Sequence, residues 1–406
     1  MTVLVPAQEL VDRMLATVSP LLPVALPLRA AAGRVAAEPV RAPSRLPRFT
    51  NSAMDGFAVR ASDLHGSGPV RLRIAGHAWA GEPWGGSVGE GQAVQIATGA
   101  ALPLGADTVI PVEAVAVEEG WVVVPAGAPP GAHVRRAGED VTEQDVVVPA
   151  GAVLGPGQVA ACAALGIRHV VVHPPARVAI VPTGSEVRAA GDALGPGDIH
   201  DAVSPALAML LGEIGAYACP HPPVPDSAPD IMAALGQAAL ECDLLLTIGG
   251  VSAGERDLVR RLNTVGHIDP FQVALRPAKP FAFGKLFDRP LVGLPGNPGA
   301  ALIAFEVLAR PVILRLQGRP ALPRPAVRAV LTEPLEGSPD RLRLVAVQVW
   351  RDGQGGLLAR PVAHQGAGMV AALAAAQGWA YVAPGAGSRP AGDEIDVALL
   401  TEPGCQ

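Results

Sequence analysis

The period of apolar positions changes several times along the chain. Residues 7–18 (AQELVDRMLATV) repeat at helical spacing. A proline-rich extended segment follows in RAPSRLPRFT, residues 41–50. Between 70 and 125 short apolar runs are broken by glycine clusters such as WAGEPWGGSVGEGQ, which predicts a β-rich region. Residues 146–172 read as a turn, a helix and a strand, and Pro174-Pro175 as a linker. From Arg177 strands and helices alternate. A buried strand in RVAIVPTG is followed by helices over 203–215 and 228–240, a strand over 243–248 and a helix over 255–265. Strands near 271–275, 281–286 and 290–294 precede a long helix from Pro298. Such alternation predicts a doubly wound, largely parallel sheet. Beyond the proline-rich link GRPALPRPAV (318–327), the alternation in RLRLVAVQVW predicts a small β-domain.

Composition narrows the class. A chain of 406 residues is too long for one core. Half of it is apolar and 17% is charged, with 47 glycines and 42 prolines, which means many turns rather than disorder. The net charge of -6, without a basic stripe, argues against nucleic acid. No unbroken apolar run approaches the roughly 18 residues of a membrane span. Glu9, Asp12 and Arg13 stand where a signal peptide would be apolar. Cys162, Cys219, Cys242 and Cys405 show no CxxC spacing, which fits a reducing cytoplasm and argues against zinc.

Ligands of open α/β sheets sit at the carboxyl ends of the strands. Four stretches are expected there: VPTGSEV (181–187), TIGGVSAGERD (247–257), RPAKPFAFGK (276–285) and LPGNPGA (294–300). Gly249 and Gly250 let backbone N–H groups approach a phosphate, and the Ser252 hydroxyl donates to it. Asn297 suits a helix N-cap and Pro298 the first turn, where free N–H groups and the helix dipole favour an anion. Residues 255–289 hold seven basic and four acidic side chains, a local positive excess. Of 31 basic residues only Lys279 and Lys285 are lysines, which points to a need for a compact ammonium there; the plainer reading is chance survival on the surface. Glu186, Asp226, Asp243 and Asp257 would repel a phosphate unless a divalent cation lay between them, and Mg²⁺ takes one or two carboxylates plus phosphate oxygens. The plainer reading is that Asp226 and Asp243 cap turns and Asp257 pairs with Arg260 or Arg261.

The motifs NSAMDGFAVR (51–60), IATGAALPLGADTVIPVE (96–113), RRAGEDV (135–141), PTGSEV, GGVSAGERD, PAKPFAFGKL and GLPGNP occur in the order of one family. Over nearly its whole length the chain resembles the MoeA family of molybdopterin molybdenumtransferases, related to the E domain of gephyrin. The resemblance implies a multi-domain α/β plus β chain. A helical and mixed dimerisation domain would comprise 1–45 and 135–175, and a β-rich inserted domain 46–134. A doubly wound molybdopterin-binding domain would span 176–318 and a small β-domain 322–406. The implied reaction inserts molybdate into adenylylated molybdopterin and releases AMP.

By the same resemblance Asp55, Thr98, Asp140, Glu186, Asp226 and Asp257 match functional positions, with Arg276, Lys279, Pro295 and Pro298 in the cationic and proline motifs. Lys279 and Arg276 would hold molybdate or phosphate, while Glu186, Asp226 or Asp257 would hold Mg²⁺ or orient water. Asp55, Thr98 and Asp140 would serve the partner's site in a homodimer fed by a molybdopterin adenylyltransferase. Asp55-Gly56 also reads as an ordinary turn, and Asp140 as a loop cap. Val203, Arg276 and Ala278 depart from the family pattern; so does segment 364–378, where Gly and Ala replace serines and Gln377 an asparagine. Two other readings remain: an adenylyltransferase, which would share the fold of the 177–318 domain but needs no such N-terminal extension, and a non-catalytic molybdopterin-binding scaffold that keeps the fold and the dimer.

Overall fold

The computed structural model describes residues 4–251, 266–363 and 365–405, so the helix expected over 255–265 lies outside it. The chain folds as two compact units, one of Ala25–Val172 and one of Met1–Val24 with His173–Gln406.

The first unit is built on a six-stranded sheet. Its strands lie in the order Thr108–Pro111, Gly56–Val59, Gln92–Ile96, Val70–Ala78, Trp121–Val124 and Ala116–Glu118. Alternation along each strand feeds two cores. Phe57, Leu72 and Val122 point to one side, and Ala58, Val94 and Val109 to the other. A bulge between Ile74 and Gly76 lets Trp84 pack on the backbone, because any side chain at Gly76 would occupy the indole's place. Beyond the sheet, Asn51–Ser52 pairs antiparallel with Val134–Arg135.

The second unit carries the α/β alternation. Its sheet runs Tyr217–Pro220, Arg177–Pro182, Leu244–Ile248, Arg289–Leu294, Pro280–Leu286, His267–Gln272. The first four strands are parallel. The last two are antiparallel, which makes the sheet more mixed than the sequence pattern suggests. The cause is a two-residue turn: Phe287 and Asp288 both take positive φ (50° and 60°), the twist that closes a tight hairpin. Neither is glycine or asparagine, so the turn carries no sequence signal. The central strands are buried on both faces. Val178 and Ile180 meet the helices Ala7–Thr17, Val203–Glu213 and Pro298–Ala304; Ala179 and Val181 meet Ala228–Glu241. Leu10, Val11 and Met14 join the first of these cores, so the amino-terminal helix folds with this unit rather than with residues 135–175.

The long helix from Pro298 widens to a π turn at Phe305–Ala309 before continuing over Arg310–Leu316. Pro311 explains the defect: it has no N–H, and its ring crowds the carbonyl one turn back. Past the linker, Ala326–Leu331, Leu357–Pro361, Leu342–Arg351, Gly378–Val382 and Glu394–Leu399 close into a five-stranded barrel around Val345, Val347, Val349 and Val397.

One buried ion cluster joins the linker to both neighbours. Glu306, on the π turn, is 3% exposed. Arg324 of the linker reaches its two oxygens at 3.2 Å, Glu213 at 2.8 Å and the Leu399 carbonyl of the barrel at 3.3 Å. Burial, with Glu306 nearby, pushes the Tyr381 phenol up to about 12. Arg324→Ala leaves the buried Glu306 with Arg310 alone, 3.6 Å away, and should lower stability by up to about 3–5 kcal/mol in urea denaturation. Arg328→Ala, whose partners Glu394 and Asp396 are exposed, should leave the midpoint unchanged.

Candidate active site

Three strand ends of the α/β unit are laced together by backbone. Thr183 donates its N–H at 2.9 Å and its hydroxyl at 3.0 Å to the Ile248 carbonyl. Gly249 donates to the Leu294 carbonyl at 2.9 Å. Gly249 and Gly250 both turn left-handed, with φ of 91° and 68°. A Cβ on Gly249 would lie 2.9 Å from the Thr183 carbonyl oxygen, so the double glycine is required by a close approach as well as by its dihedrals. The loops beyond these ends enclose a cavity of about 430 Å³.

Glu186, Asp226, Gly249, Gly250, Pro295 and Asn297 all line that cavity, as expected. The Asp226 N–H is fixed by the Ser185 hydroxyl at 3.1 Å. Among the described residues neither Glu186 nor Asp226 has a cationic partner. Two free carboxylates suit a hard divalent cation completed by ligand oxygens. No cluster of three or more His, Cys, Asp or Glu side chains occurs among the described residues, so a cation here would need those ligand oxygens. Ser252 and Asp257 lie outside the described residues. Asp243 belongs to the opposite end of the sheet, where it accepts the Arg177 N–H at 2.8 Å; the turn-cap reading is right for it.

Two expectations need correction. Asn297 occupies the N-cap position, but its side chain makes no capping bond and lines the cavity instead. Pro298 follows as the first helical residue, yet the turn is no open anion seat: Pro298 lacks an N–H, and Gly299 donates its own to the Ala367 carbonyl at 2.8 Å. Arg276 and Lys279 are exposed and do not line the cavity, although Pro280 does. They ride a short loop closed by Val273 N–H to the Lys279 carbonyl at 2.7 Å. Lys279 has no acidic partner among the described residues, whereas Lys285 pairs with Asp288 at 3.0 Å. Val203, one of the departures, is buried in the core with its N–H on Asp201, away from the cavity.

In the other unit the Asp55 carboxylate accepts the Thr98 N–H at 2.7 Å, which brings these two residues together. Asp140 lines a separate open hollow of about 520 Å³ with Leu46, Pro47, Arg135 and Glu139. Sequence reasoning missed Arg135; the doubled arginine ahead of two acids in RRAGED was the available signal. Another hollow, of about 600 Å³, opens at the amino ends of the strands over Leu10, Met14, Phe271 and Phe283. It lies away from the glycine turns, and Arg13, Lys285 and Arg289 share its rim with Asp243, Asp269 and Asp288.

The fold and cavity define an α/β domain with a ligand site at the carboxyl ends of its strands, in a chain that also holds a β-rich unit and a carboxyl-terminal barrel. Three family descriptions match in order: "MoeA N-terminal region (domain I and II)" over residues 5–166, "Probable molybdopterin binding domain" over 179–315 and "MoeA C-terminal region (domain IV)" over 328–400. The molybdopterin molybdenumtransferase of Haemophilus influenzae is 35% identical over 375 residues, 92% of each chain. Molybdopterin molybdenumtransferase 2 of Mycobacterium tuberculosis is 38% identical over 325 residues, covering 77% of this chain and 80% of that one. A molybdopterin biosynthesis MoeA protein from Pyrococcus horikoshii superposes with a TM-score of 0.84 at 29% identity, covering 98% of this chain and all of that one. The chain belongs to the MoeA family of molybdopterin molybdenumtransferases, enzymes of molybdenum cofactor biosynthesis.

The glycine turn is directly testable. Gly249→Ala should cost about 1–3 kcal/mol of stability, because it forces a side chain into left-handed backbone against Thr183. Gly157→Ala, on an exposed helix with open space around it, should stabilise by about 0.5–1 kcal/mol. Paired thermal melts of the two variants check the contrast.

Proposed function

We propose that this chain inserts molybdate into adenylylated molybdopterin and releases AMP. The observation that supports the reading best is the cavity at the strand ends, lined both by Gly249 and Gly250 and by Glu186 and Asp226, whose carboxylates have no cationic partner among the described residues. The glycine turn offers room for a phosphate to approach backbone N–H groups without side-chain interference. The Asn297 carboxamide offers both a donor and an acceptor to the polar edge of a pterin. Lys279, without an acidic partner among the described residues, supplies from the loop before Pro280 a positive charge that attracts the molybdate dianion toward the cavity.

Glu186 and Asp226 are the residues that would hold Mg²⁺, with Asp257 as a third candidate. Held by these carboxylates, such an ion would supply positive charge to the phosphate oxygens of the anhydride. A carboxylate not engaged in this way orients the attacking oxygen. Serine, cysteine or histidine nucleophiles have no part in this scheme.

The working form is proposed to be a cytoplasmic homodimer that receives its substrate from a molybdopterin adenylyltransferase. In that form Asp55, Thr98, Asp140 and Arg135 would serve the partner's cavity. No helix among the described residues is long and apolar enough to cross a membrane.

Purified protein given adenylylated molybdopterin, molybdate and Mg²⁺ should release AMP. Asp226→Asn and Lys279→Arg should each reduce the rate at least about tenfold, the value of one lost charge-assisted contact. Lys285→Arg should match the parent. Full activity in both impaired variants would remove these residues from the scheme.

Shared sites make a second prediction. Co-expressed Asp140→Ala and Asp226→Asn subunits, each impaired alone, should recover activity toward half that of the parent in the mixed dimer, where one composite site is intact. Scattering that gives a monomer, or a mixed dimer without activity, counts against sharing.

A further inference from the structure

At one end of the sheet in the first unit, three neighbouring strands stop in register. Gly56, Ile96 and Ala78 stand side by side on Gly56–Val59, Gln92–Ile96 and Val70–Ala78. One step further out, Ala97 donates its N–H to the Ala78 carbonyl at 3.0 Å, and Thr98 donates its own to the Asp55 carboxylate at 2.7 Å. Side chains alternate along a strand, so Asp55, Ala97 and Trp79 follow Phe57, Gln95 and His77 on one face. Neighbouring strands lie about 4.8 Å apart, which puts roughly 10 Å between the Asp55 and Trp79 backbones. Ala97, between them, adds only a methyl group. The row is a shelf with a carboxylate at one end and an indole at the other.

The indole is held in place before any ligand arrives. Its ring is parallel to the His77 imidazole, with 3° between the planes and 5.7 Å between centroids. The imidazole Nδ1 is 3.0 Å from the Gln95 side-chain oxygen. The backbone is fixed by the tight turn Ala80-Gly81. Trp79 and Glu82 exchange N–H···O bonds at 3.0 Å across it, and Gly81 supplies a positive φ of 88°. Just beyond, Trp84 packs against Gly76 and Gly86, where any side chain would meet its ring. Trp84 thus pins the hairpin, while Trp79 stays 44% exposed. An aromatic ring already fixed loses little freedom on binding, and its open surface favours a flat π-system. Asp55 is exposed as well, and its second oxygen accepts no hydrogen bond among the described residues.

We infer that this shelf seats the adenosine part of the substrate: the adenine stacks on Trp79, and the ribose hydroxyls donate to the open oxygen of Asp55. The inference deepens the function proposed above and rests on it for the identity of the nucleotide. In that reading the pterin and the phosphates belong to the strand-end cavity, which leaves the adenine as the planar ring still to be held. Asp55 repels a phosphate, so the neutral base and sugar are the parts that suit the shelf. A carboxylate is an acceptor only, and a ribose diol brings the donors it lacks. Trp79 is then a residue that selects the leaving nucleotide by its base, apart from the groups that meet phosphate.

AMP binding to the full-length protein, measured by saturation-transfer NMR and by titration, tests the shelf without turnover. The adenine ring protons should receive the strongest transfer from the parent. Trp79→Ala should weaken AMP binding about tenfold or more, and Trp79→Phe by less than about threefold, since a smaller ring still stacks. Trp121→Ala is the control. That indole pairs opposite Arg73 in the same sheet and carries the Arg71 guanidinium 4.7 Å from its ring centre, so its loss should leave AMP binding unchanged. In turnover, Trp79→Ala should raise the KM for adenylylated molybdopterin about tenfold and leave the KM for molybdate within about twofold of the parent. Equal AMP affinity in Trp79→Ala and the parent, no AMP binding by the parent, or an equal loss in Trp121→Ala overturns the inference. If the parent binds AMP through Trp79 but releases none from adenylylated molybdopterin, the shelf stands and the proposed function fails.

Discussion

The geometry of the candidate site depends on one close approach. Gly249 must turn left-handed while its α-carbon passes within side-chain distance of the Thr183 carbonyl, and Gly296 approaches it from the next strand end. Three parallel strands can be tied at their carboxyl ends only if the crossing backbone is bare. Everything else at the site follows from that knot: the direction in which the 249–250 turn departs, the cavity beneath it, and the approach of Glu186 and Asp226 from the loops on the far side.

Polar groups inside the α/β unit and the barrel follow the same economy. Glu306 sits where Pro311 has forced the helix to widen, and Arg324 meets it from a linker that would otherwise swing free. Gln365 fills a missing rung in the barrel ladder with a side chain that imitates a peptide. Gln377 does something similar, accepting the Val349 N–H at 3.1 Å. The buried Glu306 is retained because charged partners surround it, and the half-buried Gln365 and Gln377 because backbone groups do, which keeps desolvation tolerable.

Much of the α/β unit was legible in advance. Helices over Val203–Glu213 and Ala228–Glu241 and the strand Leu244–Ile248 lie within two residues of the positions that apolar periodicity predicts. The glycine pair, the proline-started helix and the acids at the strand ends were legible too, because glycine, proline and carboxylates have few alternative uses at such spacings. The antiparallel edge was not, because its turn is made by Phe287 and Asp288 in a conformation those residues rarely adopt. Lys279 stood out by rarity, yet rarity does not specify direction, and its loop leaves it outside the cavity lining.

By itself, then, the sequence determined the order of elements, the residues able to bind phosphate or a hard cation, and the family. Those are properties of short windows, where period, turn chemistry and residue type act locally. Only the tertiary structure decided that the Gly299 N–H belongs to Ala367, that Asp243 serves the wrong end of the sheet, and that Arg135 shares a hollow with Asp140. It also decided that residues 7–17 complete a core begun more than 150 residues later. These depend on contacts between segments far apart in sequence, and a one-dimensional pattern does not encode which carbonyl a free N–H will find once the chain has packed.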